Sequence, residues 1–378
     1  MSQHPVRAAL VGVGAWGRVL AKAAAQTPAI DLVCCIGRSA HRLAAFAKEF
    51  ELTACDLRSA LADKQIDALI IAAPNELHLE FAELAARAGK HVFIEKPIAN
   101  TMADGLRVAG LERVHGVRIV VGHCARLLAG NRMLREAIDS GELGHVTQIE
   151  ANFSNDRALK LSPQDWRWYQ ANSPGGSLSQ IGIHQLDTLR FLGGDIAAVS
   201  AGAARHSPVG AEVEDQWIVR VRFADGKLGT VVSSWTSPGT YSVRVTGAAA
   251  LMSYEIDQSH WGQPERLHEN AIVYVQGRAA GPAQRRHIAV PQTSMFRDEL
   301  ELFAAAVNGQ ACALSAANAC QALAAVYAAI ESQAQSGREV LLADVIAAAE
   351  VDAGHFEESR GSTLPWKGRV AREAGGVG

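Results

Sequence analysis

Two side chains stand where this sequence could carry out proton chemistry. Lys96 closes the run His91, Val92, Phe93, Ile94, Glu95, Lys96, Pro97, in which residues 91–94 read as a short buried strand. Pro97 has no amide hydrogen to continue a ladder, so Lys96 falls where a strand stops. Ligands of open α/β sheets bind at the carboxyl ends of strands, which makes Lys96 a candidate for chemistry rather than a solvated lysine before a turn. The second candidate is His184, on a helix that follows the glycine loop at Gly175 and Gly176. Gln180, His184 and Asp187 lie at i, i+4 and i+7, one shared helical face. A lone helical histidine is usually structural; with Gln and Asp beside it, a chemical role gains weight.

The elements upstream of Lys96 read as a cofactor platform. Val6 to Val11 is a β-rich run followed at once by Gly12, Val13, Gly14, Ala15, Trp16, Gly17 and an alanine-rich helical stretch through Ala25. A GxGxxG between a strand and a helix is the dinucleotide-binding context: Gly12 for the tight turn, Gly14 for backbone approach to a pyrophosphate, Gly17 for close packing. The amides at Ala15 and Trp16, with the positive helix end, suit phosphate. Asp31 to Ile36 repeats the strand signal, and Ser39 to Phe50 repeats the helix signal with a serine cap. The residues closing that strand are Gly37, Arg38 and Ser39, with Arg42 one turn on. A carboxylate there would bond the ribose 2′-OH and a basic group accommodates a 2′-phosphate, so NADP is favoured over NAD; a solvated Arg38 is the alternative.

Asp67 to Ala72 is a third buried strand, ending in Ala73, Pro74 and Asn75, with His78 on the first turn of the helix that follows. Pro74 can end the strand and Asn75 can cap the helix. A helix from about Thr101 to His115 and a strand at Val117 to Gly122 complete the alternation. Residues 1–122 are therefore expected to form a Rossmann-type, doubly wound parallel sheet.

After Gly122 the pattern changes. Asn131 to Ser140 reads as a helix, Val146 to Phe153 as a strand, and residues 154–174 combine turn residues with aromatic ones. From Val199 to about Val275, short alternating segments recur at 217–223, 227–235, 241–246, 251–256 and 271–275 with no helices between them. They should pair into a large, mainly antiparallel open sheet, making residues 123–345 an α+β domain for substrate binding and oligomerisation. Helices are expected at Met295 to Val307 and Ser315 to Gln335. The free face of such a sheet is most simply covered by another subunit, hence a homodimer or homotetramer. The segment 346–378, rich in alanine and glycine, is expected to be a fraying tail.

Composition narrows the function classes. Of 378 residues, 20% are charged and 48% hydrophobic, with a formal net charge of −3. That charge offers no field for nucleic acid, and no apolar run approaches the roughly 20 residues of a membrane helix. A small-molecule protein remains. Met1 to Arg7 has no signal-peptide pattern, and the six cysteines lack metal-ligand or disulfide spacing. They read as reduced, buried thiols of a cytoplasmic protein without a metal site, Cys124 being the one to watch.

Together, Gly12 to Gly17, Pro74 with Asn75 and His78, Glu95 with Lys96 and Pro97, Gly122 with His123 and Arg126, and Gly175 to Asp187 resemble the glucose-fructose oxidoreductase, inositol dehydrogenase and rhizopine-catabolism (Gfo/Idh/MocA) family, from about Val6 to Leu342. The resemblance implies a pyridine nucleotide with its nicotinamide near Lys96, and it adds Ala73, Pro74, Asn75, His78 and Glu95 to the expected cofactor environment. It implies Lys96 and His184 as active-site groups, an often cis Lys–Pro bond, and oxidation of a secondary alcohol of a sugar or polyol or the reverse ketone reduction. Two departures stand out: Gln180 where an Asp is common, and Cys124 where an Asn is common. Gln180 could bind substrate but could not share acid/base work.

Oxidising a carbinol needs a base for the hydroxyl proton and donors for the developing alkoxide. His184 is expected as the proton acceptor, with its ordinary pKa of about 6.5, and Lys96 as electrostatic partner and substrate anchor. Arg126 joins Gln180 as an expected substrate contact. Arg157, Lys160, Asp165, Trp166, Arg167, Trp168 and Tyr169 precede the glycine loop. Of these, Trp166 and Arg167 are named as substrate-binding, suiting an acidic sugar or an aromatic dihydrodiol carboxylate, although an ordinary amphipathic surface would look the same. A redox-neutral enzyme that retains its nucleotide, and a non-catalytic nucleotide sensor, are the alternative functions.

Overall fold

The computed structural model describes residues 4–359. The N-terminal part alternates β1 (Val6–Val11), α1 (Ala15–Ala24), β2 (Ile30–Ile36), α2 (Ala40–Glu49), β3 (Thr53–Ala54), α3 (Leu57–Ala62), β4 (Ala68–Ile71), α4 (His78–Arg87), β5 (His91–Glu95), α5 (Met102–His115) and β6 (Ile119–Gly122). Its sheet runs β3-β2-β1-β4-β5-β6, all parallel. β4 and β6 are buried at every position, as strands covered by helices on both faces must be. The strand order reverses between β1 and β4, so the loops after them part and leave a crevice at their carboxyl ends. The sequence reading left residues 51–66 without elements; there β3 and α3 extend the sheet's far edge.

The remaining chain supplies α6 (Ala129–Asp139), β7 (Val146–Ser154), α7 (Ile183–Gly193), β8 (Ile196–Ala204), β9 (Gln216–Phe223), β10 (Leu228–Ser234), β11 (Thr240–Gly247), β12 (Ala250–Ile256), β13 (Ile272–Gly277), β14 (Arg286–Ile288), α8 (Met295–Val307), α9 (Ala316–Ala334), β15 (Val340–Leu341) and α10 (Leu342–Ser359). The second sheet has nine strands in the order β14-β13-β12-β11-β7-β10-β9-β8-β15. Neighbours are antiparallel except β7 and β10, which pair in parallel from Gln148 opposite Leu228 to Ser154 opposite Ser234. Period-2 alternation fixes which residues face inward; it carries no strand direction, so this pairing was not legible. Helices α6, α7 and α9 cover one face. On the strands, Ile218 is 63% exposed and Leu228 46%.

A cut at residue 122 does not separate two cores. α8 packs on α1, β2 and β6, and α9 packs on α5 and β6. Val121 donates its amide to the Leu314 carbonyl at 2.9 Å, and Val120 bridges Ser315 in antiparallel fashion. The C-terminal helices thereby cover the edge of β6, an otherwise unpaired row of donors and acceptors. The expected tail is corrected in the same way. α10 runs to Ser359 and packs on α5, α9 and β8, because Leu342, Val345 and Ala349 bring an apolar stripe that composition alone hid; the rest of 346–378 lies outside the described residues. None of the six cysteines forms a disulfide, although Cys55 Sγ donates to Cys34 Sγ at 2.7 Å; Cys55 and Cys312 are only partly buried, unlike the other four.

Candidate active site

Gly12 has φ +107°, and a Cβ there would sit 2.5 Å from the Ala72 carbonyl oxygen, so only glycine makes this turn. A Cβ on Gly17 would sit 1.9 Å from the Gly12 carbonyl oxygen; its absence lets α1 start tight against the β1 turn. Gly14 differs. A Cβ there meets nothing within 4 Å, and as N-cap it offers α1 no side-chain cap. The first amides of α1, at Ala15 and Trp16, therefore open onto free space, as a pyrophosphate requires. Trp16 sends its ring against Phe296 of α8, centroids 5.8 Å apart.

Gly37 lies against Val13, where a Cβ would approach to 2.7 Å, which draws the β2 turn beside the glycine loop. Arg38 and Ser39 are exposed there, and Ser39 caps α2 by accepting the Arg42 amide at 3.4 Å. At the end of β4, Ala73 and Pro74 are half-buried, and Asn75 is buried with its Nδ2 lacking a partner among the described residues. The glycine loop, the uncapped helix and the orphaned Asn75 amide fit a dinucleotide.

His78 is corrected. It is fully buried, its Nδ1 lying 2.9 Å from the Pro97 carbonyl oxygen and its Nε2 3.1 Å from that of Ala73. It ties the β4 and β5 ends together and presents no free surface to a cofactor. Burial pushes its pKa down.

Lys96 follows β5, and the Lys96–Pro97 peptide is cis. Its Nζ donates to the Gln180 carbonyl oxygen at 2.7 Å. Residues 178–182 form a π-helical turn ahead of α7 where an ordinary helix was expected. Widened turns of this kind recur at functional sites. Burial lowers the Lys96 pKa to about 8; Glu95 opposes this, and Arg167 and Arg157 add to it. His184 is buried beside the rings of Trp261, centroids 5.5 Å, and Phe153, 5.8 Å. Burial, then Lys96 and His123, push its pKa well below the usual imidazole value. The shift favours the neutral ring, which weakens it as a proton acceptor.

Gln180 is buried, its Oε1 accepting from Arg167 Nε at 3.3 Å and its Nε2 lacking a partner among the described residues. The Arg167 guanidinium stacks 4.1 Å from the Trp166 ring centroid. The substrate role expected for Arg126 is corrected. Its Nε and Nη2 meet the Asp187 carboxylate at 2.5 and 2.7 Å, both residues buried, so the guanidinium is spent inside the protein. Asp187 shares the face predicted for it, but its work is this pair.

Glu95 is also corrected. Its carboxyl lies inside: a Cβ built on Gly122 would be 3.5 Å from Glu95 Oε1 and equally from Glu299 Oε2. Glu299, from α8, is fully buried with both oxygens unpartnered among the described residues. Burial, then Glu95, push its pKa well up. Glu95 itself is raised to about 7 by burial, against the pull of Lys96. Cys124 lies beside both acids, and burial pushes its thiol well up. Sequence reading missed Glu299 and Trp261, and it named His123 only as part of the motif that carries the resemblance. Glu299 had a signal, being a carboxylate inside the stripe of Met295, Phe296, Leu300 and Phe303; Trp261 sits between strands and had none.

No group of three or more metal-capable side chains gathers among the described residues, and no helix there is long and apolar enough to cross a membrane.

Residues 6–123 match the family profile described as the oxidoreductase family with an NAD-binding Rossmann fold (GFO_IDH_MocA). Residues 131–253 match that of the GFO/IDH/MocA C-terminal domain. Among curated relatives, the 1,5-anhydro-D-fructose reductase of Ensifer adhaerens is 28% identical over 323 residues, covering 80% of this chain and 96% of the relative. The scyllo-inositol 2-dehydrogenase (NAD(+)) of Bacillus subtilis is 29% identical over 249 residues, 64% of this chain and 71% of the relative. A crystal structure from Desulfitobacterium hafniense, provisionally named an NADPH-dependent oxidoreductase, superposes with TM-score 0.85 at 32% identity, covering 90% of this chain and 99% of that one.

Proposed function

The chain belongs to the Gfo/Idh/MocA family of NAD(P)-dependent oxidoreductases, and from that membership we propose a site in which Lys96 handles the proton while a hydride moves between nicotinamide C4 and a secondary alcohol or ketone. The protein is an oxidoreductase acting on CH–OH groups of the sugar and polyol class, like its named relatives. The observation that carries the reading is the contact of Lys96 Nζ with the Gln180 carbonyl, which joins the end of β5 to the turn that presents His184.

The cofactor supplies the hydride acceptor or donor. Gly12, Gly14, Ala15, Trp16 and Gly17 hold its pyrophosphate, and Asn75 offers a free amide beside the crevice. With a pKa drawn down to about 8, Lys96 takes the carbinol proton as a free amine and returns it as an ammonium in the reverse direction. His184, kept neutral, hydrogen-bonds the reacting oxygen and fixes its place, and Gln180 Nε2 donates to a further substrate oxygen. This exchanges the proton-handling roles that ordinary pKa values suggested.

NADP is the finer cofactor assignment. Arg38 and Ser39 stand exposed where β2 ends and no carboxylate follows Ile36, as a 2′-phosphate requires. The D. hafniense protein named for NADPH supports the same choice. A second copy on the uncovered sheet face, where Ile218 and Leu228 stand out, makes the working unit a homodimer or homotetramer, tested by light scattering after gel filtration. Six thiols outside any disulfide suit the reducing cytoplasm.

The test is fluorescence titration with NADPH and NADH, then turnover of polyols, sugars and sugar acids with the tighter cofactor. Turnover lost in both Lys96→Ala and His184→Ala supports the assignment. Cofactor binding without turnover of any class favours the redox-neutral or sensing alternatives.

A further inference from the structure

We propose that the substrate carries a carboxylate, seated on the guanidinium of Arg167 with Arg157 beside it, next to Lys96. This rests on the reading above only in taking Lys96 and His184 as the reacting end. Gln180 lies between two cations: its side-chain oxygen accepts from Arg167 and its backbone oxygen from Lys96. Neither oxygen carries a full charge. Arg167 and Arg157 form no ion pair among the described residues, although Arg167 is half-buried against Trp166.

The carboxylates of this segment are committed elsewhere. Asp165 accepts from the Ser162 amide at 2.9 Å and its hydroxyl at 3.0 Å, and Asp156 pairs with Lys160 at 2.7 Å. Glu95 is turned inward toward Gly122 and Glu299. Lys96 and Arg167 thus flank Gln180 with no ion pair of their own among the described residues, Glu95 and Asp165 acting on them only from a distance. Desolvation and repulsion show in the pKa of Arg167, lowered to about 10 by burial and by Arg157. Gln180 Nε2, buried and unpartnered, adds one more donor.

Such a donor-rich corner suits a ligand that only accepts. A carboxylate offers about four acceptor sites and matches the planar guanidinium fork, whereas a neutral hydroxyl leaves most donors unmet. A carboxylate at position 180 would satisfy Arg167 from within the protein; the amide found there leaves that place to the substrate. A phosphate monoester has related chemistry, and the test below separates the two.

With the NADP⁺-saturated protein, calorimetric binding and initial rates are measured for D-glucuronate against D-glucose, D-galacturonate against D-galactose, and D-glucose 6-phosphate. The inference expects each acid to bind about tenfold or more tightly than its neutral partner, one charged pair's worth of affinity. In Arg167→Gln the acid should lose at least about tenfold more in kcat/KM than its neutral partner, chiefly through KM, so that the acid preference shrinks to near parity, and Arg167→Lys should restore part of it. Equal binding of acid and neutral sugar, an equal loss for both in Arg167→Gln, or clear preference for the phosphate would overturn the carboxylate assignment. Acid-selective binding that depends on Arg167 but brings no turnover would uphold this inference and sink the oxidoreductase reading instead.

Discussion

Lys96 Nζ and the backbone oxygen of Gln180 meet at 2.7 Å, and this contact couples the last residue after a parallel strand to a π-helical turn 84 residues later. It holds the Lys96 amine near the buried His184 imidazole, with Glu95 the main opposing charge. The pKa of Lys96, lowered chiefly by burial to about 8, follows from that placement.

The pH dependence follows with its sign. Alcohol oxidation needs the free amine, so kcat/KM for oxidation should rise with pH and level off above about 8, while ketone reduction shows the mirror limb. His184, pushed well down, should contribute no limb near 6.5. A single oxidative limb near 6.5 that disappears in His184→Ala would refute the exchange of roles.

Placing a carboxylate beside Lys96 should undo part of this tuning. In Gln180→Asp the limb should move to higher pH, because a nearby negative charge favours the ammonium, and acid substrates should lose their advantage. pH–rate profiles of the variant and the parent check both effects.

Removing Lys96 itself should cost the proton-transfer contribution, roughly 10²–10⁴ in kcat, in Lys96→Met. Folding should survive, since the side chain makes one hydrogen bond, to the Gln180 carbonyl, and methionine fills a similar volume. Stopped-flow hydride transfer and thermal unfolding distinguish these.

The buried acids give a stability prediction. Glu95 and Glu299 bind protons more tightly folded than unfolded, so they favour folding at low pH, and that contribution is lost as pH rises from the ordinary carboxyl range through about 7 for Glu95. Glu299→Gln should therefore lose less Tm than the parent between pH 5 and pH 8. An identical slope in both proteins would refute the buried protonated acid.

The cofactor loop can be separated from the fold. Gly14→Val should leave Tm unchanged, because its Cβ points into open space, yet abolish nucleotide binding. Arg38→Ala should weaken NADPH by about tenfold and leave NADH alone, as the loss of one charged hydrogen bond implies. By contrast, Asp187→Asn strands Arg126 in the interior and should cost about 3–5 kcal/mol of stability.

Local rules made much of this protein legible. The turn at Gly12, the break at Pro97 and the Ser39 cap are short-range consequences of side-chain size, a missing amide hydrogen and a hydroxyl oxygen, so strand ends and the Lys96 position could be read directly. The alternation of 3.6-residue and 2-residue periods likewise gave both sheets. What sequence could not supply was the partner of each polar group. Arg126 and His184 looked equally available, and only the fold closed one onto Asp187 and set the other against Lys96 and Trp261. Glu299, 203 residues after Lys96, reaches the same buried pocket of charge because α8 packs back on β6. Periodicity records which face of an element is buried. Which distant element buries it, and hence what charge a titrating group feels, is decided by tertiary packing, since desolvation and Coulomb energy depend on distance in space.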